Sequence, residues 1–342
     1  MSLERALKEL ESAIAGLHAA LAESGEGKFH VSDALRGRCL TSIADLSLAD
    51  LGLILNTATA LKELLKRTPS VMPPLLRGKT LAMVFEKPSL RTRVSFETGM
   101  TQLGGHAINL QPAEIQLGKR ESIGDAATTL GRICDGIMAR TFAHETVLQL
   151  AAHAGVPVIN GLSDREHPCQ ALADFMTIRE KLGEPRGLAI TWVGDGNNVC
   201  HSNLLLAAKF GAHFTVACPE GYEPDAEILE TAQTIARESG SRIAVTHDPR
   251  AAVKDADVIF TDVWASMGQE AEQAERARAF EGFQVNQALV ELAKPESIVL
   301  HCLPAHRGEE ITDEVIDGPH SVVFDEAENR LHAQKAVLVL LM

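Results

Sequence analysis

Apolar residues recur along this chain in two alternating rhythms. Short unbroken runs read as strands buried on both faces, and between them apolar residues return every three or four positions, as in amphipathic helices. Leu3, Leu7, Leu10, Ile14, Leu17 and Leu21 predict an N-terminal helix over residues 1–25, with Glu23-Ser24-Gly25-Glu26-Gly27-Lys28 as a flexible link. Thr80-Leu81-Ala82-Met83-Val84-Phe85 predicts a strand, which Pro88 stops. Ser89 then caps a helix carrying Phe96, Met100 and Leu103. Ala107–Leu110 reads as a strand, Ser122-Ile123-Gly124-Asp125 as a capping-box helix start, Gly136–Ala139 as a strand and His144–His153 as a helix. Val156–Asn160 is a further strand, followed by a helix from about Gln170 to Lys181.

The second half repeats the plan. Leu188–Val193 predicts a strand that ends in Gly194-Asp195-Gly196-Asn197-Asn198, with a helix beyond it to Phe210. Phe214–Ala217, Ile243–Thr246, Val258–Asp262 and Ile298–Leu300 read as strands, and Asp225–Glu238 and about Ala327–Leu341 as helices. Repeated βα units imply an α/β fold with parallel sheets covered on both faces. Ligands in such folds sit beyond the carboxyl ends of the strands. Polar clusters occupy four of those ends: the Ser89 turn, the Gly194 loop, Asp262 and His301-Cys302.

Composition narrows the partners. With 342 residues, 45% apolar, the chain has room for two cores. A net charge of −14 with no long basic block argues against nucleic acid or an anionic membrane surface. No stretch reaches the roughly 18 apolar residues of a membrane span. Six scattered cysteines with no C-x-x-C pair argue against a zinc ribbon and for a reducing cytosol. Early Glu4, Glu9 and Glu11, with no apolar core segment, do not resemble a signal or transit peptide.

An anionic substrate therefore needs local positive charge, and Ser89-Leu90-Arg91-Thr92-Arg93 supplies it. Two hydroxyls and a guanidinium on a first helical turn make a phosphate cradle, since free N–H groups and the positive dipole end lie there too. The plainer alternative is a capped helix with exposed arginines. Gly194-x-Gly196 after a strand invites a dinucleotide, with Glu220 as ribose acid, but Val199 stands where the third glycine belongs. Asn197 and Asn198 suit an amino-acid head group instead. His167-Pro168-Cys169-Gln170 is either a helix-start turn or an imidazole and amide that polarise a carbonyl. His301-Cys302-Leu303-Pro304 admits a cysteine nucleophile or a metal site with His306. Neighbouring strand residues point to opposite faces, so His301 is poorly placed to activate Cys302. Asp262-Val263-Trp264-Ala265-Ser266-Met267-Gly268 reads as an ordinary loop, or as a carboxylate for an ammonium with backbone donors for a carboxylate.

Taken together these motifs resemble the ornithine branch of the aspartate/ornithine carbamoyltransferases. Ser-x-Arg-Thr-Arg at Ser89 marks the superfamily. His167-Pro168-Cys169-Gln170, Asp262 with Ser266-Met267-Gly268, and His301-Cys302-Leu303-Pro304 mark the branch; Trp192–Asn198 and Glu326-Ala327-Glu328-Asn329-Arg330 also fit. The resemblance runs from about Leu40 to Met342. It implies two doubly wound parallel-sheet domains bridged by helices. The expected division is an extension over 1–30, a carbamoyl-phosphate domain over 31–170, an ornithine domain over 171–325 and a terminal helix over 326–342 packing back on the first domain.

It also implies that Ser89, Leu90, Arg91, Thr92, Gln116, Arg140, His167, Gln170, Cys302, Leu303 and Arg330 bind carbamoyl phosphate, Gln116 reaching a neighbouring subunit. Asn198, Asp262, Ser266 and Met267 bind ornithine, and Arg140, His167 and Cys302 are the catalytic set. The implied reaction is direct transfer to the δ-amine, giving citrulline and phosphate. The oxyanion rests on Arg140, Thr92 and His167, and leaving phosphate takes the proton. No metal, cofactor or covalent intermediate is implied. A cytoplasmic homotrimer, or an assembly of trimers, in arginine biosynthesis is. N-acetylornithine and putrescine enzymes share several motifs, so related acceptors are the alternative, with a nicotinamide dehydrogenase behind them. Two positions depart from the family: Leu90 stands where a threonine is usual, and the N-terminal extension exceeds the family core.

Overall fold

A computed structural model describes residues 35–67, 72–266, 268 and 270–342. The expected N-terminal helix and Met267 lie outside the described residues. The chain separates into two compact units: unit 1 holds residues up to Thr41, Ala49–Gly161 and Arg330–Met342, and unit 2 holds Ser42–Leu48 and Leu162–Asn329. Both are parallel-sheet α/β structures, as the apolar runs predict.

Unit 1 carries a four-stranded sheet in the order β2-β1-β3-β4, built from β1 (Thr80–Phe85), β2 (His106–Leu110), β3 (Gly136–Arg140) and β4 (Val158–Leu162). β1 pairs parallel with β2 and with β3. Five of its six residues are buried, which is why that strand reads as a continuous apolar run rather than an alternating one. β4 begins two residues later than the expected Val156. Ala82, Val84, Ile137, Ala139, Val147, Leu150 and Val158 form one side of the core. The helix Leu48–Arg67 was not among the elements predicted, although Leu51, Ile54, Leu55, Ala58 and Leu61 bury a stripe at helical spacing.

Unit 2 carries a five-stranded sheet in the order β7-β6-β5-β8-β9, from β5 (Ala189–Val193), β6 (His213–Ala217), β7 (Ile243–Thr246), β8 (Val258–Thr261) and β9 (Ile298–His301). All four pairings are parallel. Val193, Ile259, Val299, Phe280 and Leu289 lie in its core, with the Trp264 ring stacked 5.6 Å from Phe280. The last helix starts at Val323 and not near Ala327. Acidic Asp325 and Glu326 fill its first turn, where they complement the helix dipole. Among the described residues no helix is long and apolar enough to cross a membrane.

Gly196 deserves its glycine for a packing reason. A Cβ there would lie 2.3 Å from the Pro224 nitrogen and 2.5 Å from the Glu223 carbonyl carbon. The Gly194-x-Gly196 pattern thus admits a close backbone crossing, and Val199 in place of a third glycine is buried in the helix Asn198–Phe210.

Candidate functional site

Each sheet reverses its strand order once, in unit 1 between β1 and β3 and in unit 2 between β5 and β8. At such a switch point the flanking loops part and leave a crevice beyond the carboxyl ends of the strands. In unit 1 the register sets Phe85 beside Arg140, so the loop into the Ser89 turn and the Arg140 side chain share that edge. Ser89 caps the helix Leu90–Gln102 in extended conformation, accepting from the Thr92 N–H at 3.3 Å and donating to Thr92 Oγ1 at 3.0 Å. Arg330 Nη2 donates to the same Oγ1 at 3.2 Å, which brings together residues 238 positions apart. The Gln334 amide, oxygen turned to Arg330, accepts from its Nη2 at 3.0 Å and its Nε at 3.2 Å. Thr92, Arg140 and Arg330 are buried, Arg91 is half-buried and the Leu90 side chain is 74% exposed. Two buried guanidiniums beside a helix N-terminus form a strongly anion-selective environment.

Gln116 is placed differently. It sits exposed in a left-handed turn after the short helix Pro112–Ile115, and its backbone oxygen accepts from Lys119 and Arg120.

In unit 2 the loops after β5 and β8 meet. Asn197 caps the helix Asn198–Phe210 with its Oδ1, and its Nδ2 donates to Asp262 Oδ2 at 2.9 Å. Asp262 Oδ1 accepts from the Cys302 thiol at 3.1 Å. Asn198 Nδ2 donates to the Ser163 carbonyl at 2.5 Å. Ser266 lies half-buried four residues beyond Asp262. Arg276 braces this loop: its Nη1 reaches Asp195 Oδ2 and the Trp264 carbonyl, each at 2.9 Å. Burial pushes the Asp195 carboxyl up to about 6 despite Arg276.

Behind these loops runs a buried polar chain that the sequence did not reveal. Gln170 Nε2 donates to Asp174 Oδ1 at 2.7 Å and to Glu326 Oε1 at 2.9 Å. Both amide hydrogens of Gln170 are thus directed at carboxylates. Glu326 Oε2 accepts from the His301 N–H at 2.9 Å, and Asn203 Nδ2 donates to Asp174 Oδ2 at 2.8 Å. His167 begins the helix Pro168–Leu182, buried, with its N–H donating to Ser202 Oγ at 2.9 Å. Glu326 falls inside a motif quoted above, so it could have been found; Asp174 and Asn203 carry no such local signal.

Cys302 and His301 take different partners. The His301 ring bonds Glu310 Oε1 through Nε2 at 3.0 Å and the Leu303 N–H through Nδ1 at 2.9 Å. Burial, followed by the nearby Asp262 and Glu326 charges, holds the Cys302 thiol well above its ordinary range. It is therefore a thiol at neutral pH and a poor nucleophile. Ligand atoms of Asp262, His301 and Cys302 do lie within 4.8 Å of one another. A metal there would have to displace the Leu303 or Glu310 bond of the ring and the thiol proton.

Comparison with known proteins fixes the family. Residues 38–180 match the model of the aspartate/ornithine carbamoyltransferase carbamoyl-P binding domain, and residues 186–341 that of its Asp/Orn binding domain. The chain belongs to the aspartate/ornithine carbamoyltransferase family. It is 57% identical over 310 residues to a Thermococcus kodakarensis protein named ornithine carbamoyltransferase, covering 90% of this chain and 97% of the relative. An anabolic ornithine carbamoyltransferase of Pyrococcus furiosus is 56% identical over 90% of this chain and 97% of its own length. Among solved structures, the ornithine carbamoyltransferase from Pyrococcus furiosus superposes with a TM-score of 0.87 at 56% identity, covering 90% of this chain and 98% of that one. The Thermus thermophilus enzyme superposes with a TM-score of 0.79 at 47% identity, over 89% and 98%.

Proposed function

We propose that this chain transfers the carbamoyl group of carbamoyl phosphate to the δ-amine of L-ornithine, giving L-citrulline and phosphate. Family membership supports the reaction, and Asp262 carries the choice of acceptor. Its carboxylate at the switch point of unit 2 suits the free α-ammonium of ornithine. N-acetylornithine lacks that charge, and a second carboxylate on aspartate would be repelled. Asn198 and the Ser266–Met267 backbone are proposed to take the ornithine carboxylate, which putrescine lacks. A site built around polar groups rejects analogues that leave them unpaired.

Ser89, Leu90, Arg91, Thr92 and Arg330 are assigned to the phosphate of the donor, with Gln116 contributed to a neighbouring subunit. Arg140 is assigned to the carbonyl oxygen as it becomes an oxyanion, where one such donor is worth roughly 3 kcal/mol. His167, Gln170, Cys302 and Leu303 are assigned to the carbamoyl group. Neither His301, with both ring nitrogens engaged, nor the protonated Cys302 serves as a base. Only the neutral amine attacks, and leaving phosphate accepts the proton. Holding both substrates in line accounts for much of the rate. A cytoplasmic homotrimer acting in arginine biosynthesis completes the reading; sedimentation should return about three times the 36.8 kDa chain mass.

Citrulline formation by the pure protein, with kcat/KM compared across ornithine, N-acetylornithine, putrescine and aspartate, is the decisive test. Ornithine should exceed the others by at least about a hundredfold, well inside the roughly ten-thousandfold that a hydrogen-bonding site reaches. A preference for putrescine or N-acetylornithine would overturn the assignment of Asp262.

A further inference from the structure

The direction of the His167 ring depends on the backbone that leads into it, and one helix face grips that backbone. Within the Ser163–His167 loop, the Ser163 N–H donates to the Glu166 carbonyl at 2.9 Å and the Glu166 N–H to Ser163 Oγ at 3.3 Å. Further grips come from the start of the helix Asn198–Phe210. Asn198, His201 and Ser202 stand there at i, i+3 and i+4, a spacing that puts side chains on one face. Asn198 Nδ2 donates to the Ser163 carbonyl at 2.5 Å, and His201 Nδ1 lies 2.7 Å from the Arg165 carbonyl. Ser202 Oγ accepts from the His167 N–H at 2.9 Å and donates to Glu166 Oε2 at 3.0 Å. Ser202, His201, Glu166 and His167 are all buried. His201 carries its proton on a defined nitrogen. A carbonyl can only accept, so the ring proton sits on Nδ1. Nε2 lies 2.9 Å from the Asp225 N–H, which can only donate, so Nε2 is bare. Burial lowers the pKa of this ring from 6.5, which keeps the neutral form at neutral pH.

We infer that His201 and Ser202 are positioning residues for His167, fixing the Arg165 carbonyl and the His167 N–H so that the His167 imidazole is presented to the carbamoyl group. This rests on the assignment of His167 under the ornithine reading above. Neither residue is assigned to a substrate; each acts through the loop it grips. A reacting group keeps its productive geometry only where such supporting bonds hold it.

Two substitutions at His201 separate positioning from core filling. An asparagine amide nitrogen falls where imidazole Nδ1 stood and can still donate to the Arg165 carbonyl. A glutamine amide falls at the Nε2 position instead, so it keeps an acceptor for the Asp225 N–H and loses the Arg165 bond. His201→Asn should keep kcat within about threefold of the wild type, whereas His201→Gln should lose at least about tenfold, as misplacement of a reacting group does. Affinity for inorganic phosphate, measured by equilibrium dialysis, should change by less than about threefold in both, because phosphate is assigned to the Ser89 turn and not to His167. Equal kcat in the two folded variants would overturn the proposal, as would a matching loss of phosphate affinity. If either variant does not fold, Ser202→Ala, which removes the acceptor of the His167 N–H, replaces the pair. It should lose at least about tenfold in kcat at unchanged phosphate affinity, and an undiminished kcat would sink the idea. Nitrogen NMR of the wild-type His201 ring should place the proton on Nδ1, and a proton on Nε2 alone would also overturn the proposal. Absence of citrulline from wild-type protein would refute the ornithine reading and leave that spectrum unaffected.

Discussion

Cys302 shows how a residue type can mislead and its surroundings correct it. A cysteine after a histidine suggests a nucleophile and its base. Here the sulfur faces Asp262 and the imidazole faces Glu310 and Leu303. Carboxylates around a buried thiol disfavour the thiolate, so no covalent intermediate is expected. Cys302→Ser should keep measurable turnover, with the main penalty in the KM for ornithine. Mass spectrometry of protein mixed with carbamoyl phosphate alone should show no adduct on Cys302. A stoichiometric adduct that disappears on adding ornithine would make Cys302 the nucleophile.

Two element pairings in unit 1 carry measurable predictions. Gly131 lies in the helix Ile123–Ile133, and a Cβ there would sit 1.6 Å from the Ala154 carbonyl oxygen, just past the helix His144–His153. Backbone cannot give way as a side-chain tip can. Gly131→Ala should cost about 3 kcal/mol, read as a lower urea midpoint at unchanged slope. The second concerns the last helix. His332 is buried, and burial with Lys335, Lys62 and Lys66 nearby lowers its pKa from 6.5 to about 3. Below pH 6.5 the unfolded chain binds a proton that the folded chain refuses. The stability tied to a neutral His332 is thus complete above pH 6.5 and declines as pH falls toward 3. Between pH 6.5 and about 4.5 the loss should reach about 2–3 kcal/mol. In His332→Gln that part of the slope should vanish; an unchanged slope would show that His332 is protonated in the fold.

At the scale of the whole molecule, the proposed donor is an anion while the protein carries a net charge of −14, so its binding is assigned to a small cationic locale. Arg330 and Arg140 are buried within unit 1, so ionic strength should screen them less than surface charges. The acceptor sets the pH response. The ornithine δ-amine has a reference pKa near that of lysine, about 10.4, and only its neutral form attacks. Desolvation on binding lowers that value, so turnover should rise from neutral to alkaline pH with a midpoint below it. A rate flat from about pH 6 to 9 would remove amine deprotonation from the rate law.

Local pattern was enough for β1, for the helix His144–His153 and for β7, because each is an apolar run or stripe bounded by its own stop signals. It was also enough for the Ser89 cap, a bond between residues three apart. The helix Leu48–Arg67 is legible in its spacing, since Leu51, Ile54, Leu55, Ala58 and Leu61 fall on one face. The residue types of the candidate site, and the strand ends that bear them, were in the sequence. Their partnerships were not. Arg330 meets Thr92 across 238 residues, Asp262 meets Asn197 across 65 and Cys302 across 40, and Glu326 meets Gln170 across 156. Such pairs depend on strand order, which hydrophobic rhythm does not encode: a run of buried residues specifies a strand but not its neighbours. Only the packed sheets decide that β1 lies beside β3 and β5 beside β8, and with that, where the crevices open and which way each polar group turns.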